Sequence, residues 1–201
     1  MEVKLVESPA DIATCRHLAW CVLVQEQGWQ ILADNTSGLR IIHPDTRPEL
    51  ADDYEAVAEW MALVEGDEIV GCNRKSGRVA GQFELERYIS IPAFLKEDDS
   101  AFEHTRLCIA PKYRSKKAML RIAKFWYEHY RERQLGHFFT TGYEPFPGGM
   151  YRQLGMHQEH TEFKYNAHET KGCFIYHFNM RDLQLVDSMI EQIDALIRCA
   201  E

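Results

Sequence analysis

The stretch that most restricts what this chain can become runs Glu103-His104-Thr105-Arg106-Leu107-Cys108-Ile109-Ala110-Pro111-Lys112-Tyr113-Arg114 and continues Ser115-Lys116-Lys117-Ala118-Met119-Leu120. Phe102 to Ala110 reads as an interior strand, and Pro111 closes it because proline has no amide to give a ladder. From Tyr113 to Gln134 the spacing of Met119, Ile122, Ala123, Trp126, Tyr127 and Tyr130 predicts a long amphipathic helix. A strand that feeds a helix through a short basic turn leaves the first helical amides unpaired, and those amides and the helix dipole both favour an anion. The turn is a candidate seat for a pyrophosphate or a phosphopantetheine.

The rest of the chain supplies elements around this unit. Val3 to Val6 alternates, and Ser8-Pro9-Ala10-Asp11 starts a helix that carries Ile12, Cys15, Leu18, Ala19 and Val22 and ends near Gly28. Ile31 to Leu50 has no sustained period and reads as a long functional loop. Val57–Val64 and Glu68–Arg74, joined by Glu65-Gly66-Asp67, predict a hairpin, and a further strand is expected around Gln82 to Leu85. His137–Thr141 reads as a short strand, Met150–Leu154 as a short helix, and Met156–Tyr165 with Gly172–Met180 as a second hairpin. Leu183, Val186, Met189, Ile190, Ile193, Leu196 and Ile197 give a terminal helix with one apolar face. The expected class is α/β (α+β): a mixed, largely antiparallel sheet flanked by helices on both faces, in one domain over residues 1–201.

The totals narrow the function. A formal charge of −8 opposes broad attraction to nucleic acid, which depends on many Lys and Arg. Against that background Lys112, Arg114, Lys116, Lys117, Arg121 and Lys124 form a basic patch, followed by Arg131 and Arg133, which is either a solvated helix face or a docking site for an acidic partner. No apolar run is long enough for a membrane span and the N-terminus begins no secretion signal, so the expected location is the cytoplasm. The six cysteines show no paired spacing and the nine histidines no H-E-x-x-H, so no metal site is expected.

The run Leu107-Cys108-Ile109-Ala110-Pro111-Lys112-Tyr113-Arg114 resembles the L-x-V-x-P-x-Y-R signature of the GNAT superfamily of acyltransferases. Ser115-Lys116-Lys117-Ala118 stands where that family has a glycine-rich loop, and the added lysines suit a protein-borne phosphopantetheine or an acidic carrier surface. Further matches, in the family's order, are similar to the branch of acyl-homoserine-lactone (autoinducer) synthases and long-chain N-acyl amino acid synthases. They are Arg16, Gly28-Trp29, Asp52-Asp53-Tyr54-Glu55, Val70-Gly71-Cys72-Asn73-Arg74 and Glu103-His104-Thr105-Arg106, with Tyr151-Arg152-Gln153-Leu154-Gly155-Met156 resembling a later GNAT element. Glu55 and Thr105 replace the Asp and Ser usual in autoinducer synthases, which favours an amino acid acceptor over the lactone.

The resemblance implies an N-acyltransferase that moves a medium or long fatty acyl group from acyl carrier protein or acyl-CoA to an amino acid or its derivative. The product is an N-acyl amino acid or an N-acyl-homoserine lactone quorum-sensing signal. The alternatives are an ordinary acetyltransferase using acetyl-CoA and a non-catalytic module that binds a carrier protein through Lys112 to Lys124. No permanently bound cofactor is implied. Amide formation needs a neutral amine, a place for the oxyanion and a proton for the thiolate. Glu103 is the first candidate base, acting through water, and Glu84 the second. Backbone amides of the Leu107 to Ala110 strand, with Leu107, Cys108 and Ile109 as donor-binding residues, would hold the oxyanion, with Arg114, Ser115, Lys116, Lys117 and Ala118 around the phosphate, and the resemblance makes Tyr151 the proton donor. Asp52 and Trp29 join Arg74 and Arg106 on the acceptor side, where the two arginines either bind the acceptor's carboxylate or anchor the loop of Asp52 and Glu55. Plainer readings stand beside these: Glu103 and Arg106 as an ion pair that orders the sheet, Tyr151 as a core aromatic, and Arg16 as scaffold.

Overall fold

Ser8 has extended dihedrals and its side chain accepts from the Asp11 amide at 3.0 Å, so it caps the helix that Pro9 enters. The computed structural model describes residues 1–165 and 171–199. In chain order the elements are β1 Glu2–Val6, α1 Pro9–Ala19, which runs on as a π-helical segment Trp20–Glu26, β2 Arg40–Ile42, β3 Glu49–Ala51, β4 Ala58–Glu65 and β5 Glu68–Ser76. Then come α2 Ala93–Glu97, β6 Phe102–Ile109, α3 Lys116–Glu132, β7 His137–Tyr143, α4 Gly148–Gln153, β8 His157–Gln158, β9 Cys173–Asn179 and α5 Leu183–Cys199. A seven-stranded sheet has the order β1-β4-β5-β6-β7-β9-β8; β6 and β7 are parallel and every other pair antiparallel, while β2 and β3 form a small separate hairpin. This is the mixed, largely antiparallel sheet expected from the sequence.

Helices cover both faces for a reason visible in the apolar spacing. Met119, Ile122, Ala123, Trp126, Tyr127 and Tyr130 turn one side of α3 onto Met61, Leu63, Phe102, Phe138 and Phe178, and Val186, Met189 and Ile193 of α5 join the same core. On the opposite face Cys15 and Ala19 of α1 meet Trp60, Ala62, Cys72 and Cys108. Five of the six cysteines are buried or half-buried, and all six are free thiols.

Four expectations are corrected. Gln82–Leu85 is not a strand: Val79 and Gln82 exchange backbone hydrogen bonds around Ala80 and Gly81, both at positive φ, and Leu85–Arg87 follows as a 3-10 turn. Phe83 and Leu85 are apolar because they fill a pocket with Phe139 and Ile175, which mimics the alternation of a strand. The segment Ile31–Leu50 contains β2 and the start of β3, each three residues long and too short for a periodic signal. α3 begins at Lys116 rather than Tyr113, because Pro111–Tyr113 forms a 3-10 turn and Ser115 is the cap, accepting from the Ala118 amide at 3.0 Å. The second hairpin is reduced to His157–Gln158 on β9 and a bridge between Phe163 and Cys173, and part of its connection lies outside the described residues.

Candidate active site

β6 changes parity in mid-strand. Phe102 lies in the core under α3 and His104 contacts Trp126 and Tyr130 there, which sends Glu103 and Thr105 to the other face. Arg106 has φ +56 and the pairing with β5 shifts register between Cys72 and Arg74, so a bulge places Thr105 and Arg106 consecutively on one face. Beyond it Leu107 and Ile109 pack under α3 and Cys108 under α1.

The bulge completes a buried charge network. Arg74, fully buried, donates from Nη1 to both Asp52 oxygens at 2.8 Å and to Glu55 at 2.9 Å, from Nη2 to Glu84 Oε2 at 2.7 Å, and from Nε to Thr105 Oγ1 at 3.0 Å. Arg106 Nη2 donates to Asp52 Oδ2 and Glu84 Oε1, each at 2.6 Å. Arg16 extends the network through Glu49 at 2.7 Å and Glu55 at 3.6 Å. Arg74 and Asp52 are thus an anchor for the loop before β4, and Arg74 has no face left for an acceptor. Burial pushes the Asp52 carboxyl up, but Arg106 and Arg74 outweigh it and hold its pKa at about 2. Both oxygens of Glu84 are taken up by guanidinium groups.

Glu103 differs. Its Oε2 accepts from the Leu85 amide at 3.2 Å, no guanidinium among the described residues hydrogen-bonds to it, and burial followed by the charge on Glu84 raises its pKa to about 8. The Glu103–Arg106 ion pair considered from sequence is absent among the described residues, since Arg106 pairs with Asp52 and Glu84 instead. Glu103, Glu84, Thr105 and Arg106 line a cavity of about 800 Å³, closed by Trp29, Leu32, Asn35, Arg87, Tyr88, Tyr143, Phe146, Tyr165 and Lys171. The Arg106 guanidinium lies 5.9 Å from the Trp29 ring centroid. Arg87, Tyr88, Tyr143, Phe146, Tyr165 and Lys171 escaped the sequence reading, because they come from separate segments and none carries a local pattern. The parity change in β6 was legible as a switch of the apolar positions from Phe102 to Leu107 and Ile109.

The sheet opens beside this cavity. β6 and β7 pair only through Phe102 with Phe138 and Glu103 with Phe139; Thr140 Oγ1 donates to His104 O at 3.0 Å, and beyond it the ladder ends although the strands continue to Ile109 and Tyr143. Ala110 donates to Val70 O at 2.8 Å, so alternation in the β5–β6 ladder turns the amides of Leu107 and Ile109 away from β5 and into the gap. Tyr151 in α4 stands at that gap: its hydroxyl bonds the Thr140 side chain, burial raises its pKa, and its ring packs so close to Gly142 that a Cβ there would lie 2.9 Å away.

Leu107, Cys108, Ile109, Tyr151 and the residues from Arg114 to Ala118 do not line the large cavity. Ile109 and the turn after it stand at the far end of β6, roughly 20 Å from Glu103 at ordinary strand rise, whereas Leu107 lies nearer and Tyr151 stands beside Thr140 and Gly142 of β7. Arg114 Nε donates to Ile109 O at 2.8 Å, which fixes the basic turn on the end of that strand. The basic patch is largely engaged: Arg114 pairs with Glu26, Lys124 with Asp194, Arg131 with Asp187 and Arg133 with Glu59, while Lys112 and Lys116 are exposed. Among the described residues no group of His, Cys, Asp and Glu gathers as a metal ion would require, and no helix is long and apolar enough to cross a membrane.

Residues 39–124 match the family model described as an acetyltransferase (GNAT) domain. Curated protein sequences give no match. Among solved structures, the fold is similar to a CoA-dependent acyl-homoserine lactone synthase, BjaI, solved with MTA, at TM-score 0.70 and 14% identity, over 96% of this chain and 89% of that one. It is similar to a second CoA-dependent synthase of that kind, MesI, at TM-score 0.68 and 14% identity, over 98% and 95%. It also matches FeeM, an N-acyl amino acid synthase from uncultured soil microbes, at TM-score 0.65 and 12% identity, over 90% and 91%. At such identities the likeness establishes a GNAT-like fold.

Proposed function

We propose that this chain is an N-acyltransferase. It transfers a medium or long fatty acyl group from a phosphopantetheine thioester, carried by acyl carrier protein or coenzyme A, to the amine of an amino acid or its derivative. The product is an N-acyl amino acid or an N-acyl-homoserine lactone. One observation carries the reading: a buried carboxyl, Glu103, with its pKa raised to about 8, faces a cavity large enough for such an acceptor beside the point where β6 and β7 part. Two solved structures of similar fold, an N-acyl amino acid synthase and a lactone synthase solved with SAM and isopentyl-CoA, support that direction.

The chemistry follows from the placement. The acceptor enters the cavity with its carboxylate towards the donors of Arg106, Arg87 and Lys171 and its amine towards Glu103. Glu103, ionised, takes the amine's proton through a chain of waters in the cavity as the nitrogen attacks the thioester carbon. The oxyanion forms against the Leu107 amide, the nearer to Glu103 of the two that face the gap. The C–S bond breaks, and the leaving thiolate receives the proton of the Tyr151 hydroxyl, which the raised pKa keeps protonated at neutral pH. Glu84 serves as positioning residue for Arg74 and Arg106. The phosphate end of the donor lies against Arg114, Ser115, Lys116, Lys117 and Ala118, and Lys112 and Lys116 remain exposed for the acidic surface of a carrier protein.

Incubation of the purified protein with acyl-CoA and loaded carrier protein of several chain lengths, together with a panel of amino acids, tests this by mass spectrometry and thiol release. No acylated product and no free thiol from any donor would remove it. A plain acetyltransferase is the second reading, favoured by the description of the matching family model. Under that reading acetyl-CoA outcompetes long acyl donors in the same assay.

A further inference from the structure

The turn after β6 is tied to the end of the π-helical segment by a contact that neither the chemistry above nor the fold requires. Arg114 donates from Nη1 to Glu26 Oε1 and from Nη2 to Glu26 Oε2, each at 2.5 Å, while its Nε holds Ile109 O at 2.8 Å. This is a two-pronged carboxylate on a guanidinium, the geometry in which a phosphate is also held. Both side chains are 40% exposed, so the pair is screened by water and contributes little to the fold. Glu26 is the last residue of the π-helical segment that prolongs α1, and a helix of that winding is uncommon and recurs at functional sites. From the very next residue the same backbone supplies the cavity wall. Gln27, Gly28, Trp29 and Gln30 all line it, Gly28 at φ +73 turns the chain there, and the Trp29 ring faces the Arg106 guanidinium at 5.9 Å.

We propose that Glu26 is a positioning residue that occupies the donor's phosphate place on Arg114, and that its displacement by the phosphate couples donor binding to the Trp29 wall of the acceptor cavity. The inference rests on the reading of Arg114 as part of the donor seat. When the phosphate of coenzyme A or phosphopantetheine reaches Arg114, the guanidinium exchanges one anion for another and keeps its bond to Ile109. Glu26 loses its partner, the end of the π-helical segment is freed, and Gly28 lets Trp29 re-seat over the acceptor. By linkage the acceptor then strengthens donor binding by the same factor.

The test uses the full chain and coenzyme A as probe, with binding by calorimetry and Trp29 emission taken as the difference from Trp29→Phe. Glu26→Gln, which keeps the shape without the charge, should tighten coenzyme A binding roughly two- to fivefold, the scale of an exposed ion pair. It should also shrink the change in Trp29 emission that coenzyme A induces, and abolish the dependence of acceptor KM on donor saturation. Arg114→Gln should weaken coenzyme A binding, and Glu26→Gln added to it should change nothing further. Glu26→Asp, which restores the charge, should return affinity towards that of the native chain. If the native protein binds coenzyme A and turns over but Glu26→Gln leaves that affinity unchanged or weaker, this proposal falls and the acyltransferase reading stands. If the native protein binds no coenzyme A and releases no thiol from any donor, both fall together.

Discussion

Glu103 sits in a row of buried ionisable groups and is pushed towards neutrality at working pH, whereas Asp52 is held ionised. The reason is partnership: Asp52 meets two guanidinium groups, whereas Glu103 meets a single backbone amide and the like charge of Glu84. A base must be ionised to accept a proton, so kcat/KM should climb with pH and level off above about 8. Glu103→Gln should lower kcat/KM by about 10²-fold or more and erase that limb, and a pH–rate profile that keeps the limb would place the base elsewhere. The same shift marks stability. Because the folded pKa lies above the unfolded value of 4.5, the folded protein holds a proton that the unfolded chain has lost, and the stability this gives is present below 4.5 and is lost as pH rises towards 8. Glu103→Gln cannot ionise, so its Tm relative to the native protein should increase between pH 5 and pH 8 when both are followed by circular dichroism.

Within single elements the sequence is legible where one period governs and obscure where two compete. α3 is read from its stripe of Met119, Ile122, Ala123, Trp126, Tyr127 and Tyr130, but its start is misplaced by the Pro111–Tyr113 turn, and only the Ser115 cap marks the true beginning. Ser115→Ala should cost about 1 kcal/mol in urea unfolding, the ordinary value of a lost cap. β6 carries the opposite lesson, since its bulge at Arg106 is what lets one strand present Thr105 and Arg106 together to the charge network. Arg74 on β5 is the hub of that network. Arg74→Ala leaves Asp52 and Glu84 buried with a single guanidinium between them, and should cost about 3–5 kcal/mol in the same experiment. A result near zero would mean that water already enters beside Asp52.

For the molecule as a whole, the decisive feature is a sheet whose fourth and fifth strands in spatial order, β6 and β7, pair at one end and part at the other. The proposed donor lies in that gap, so coenzyme A at about a hundred times its Kd should stabilise the fold by about 2.7 kcal/mol, read as a rise in Tm that grows with concentration. An unchanged Tm at millimolar coenzyme A would leave the gap without its occupant. The strands, the long helices, the basic turn after Pro111 and the ordered Asp, Glu and Arg motifs are written in local period and spacing, because each depends on neighbours a few residues away. Which carboxyl stays free was decided only by packing, for Glu84 and Glu103 are both acidic residues beside apolar ones, and nothing local says that two arginines claim the first and leave the second. The cavity wall is likewise a product of the fold: Trp29, Arg87, Tyr143 and Lys171 meet through the sheet's topology, and a protonation state or a pocket arises from distances in space that no run of adjacent residues encodes.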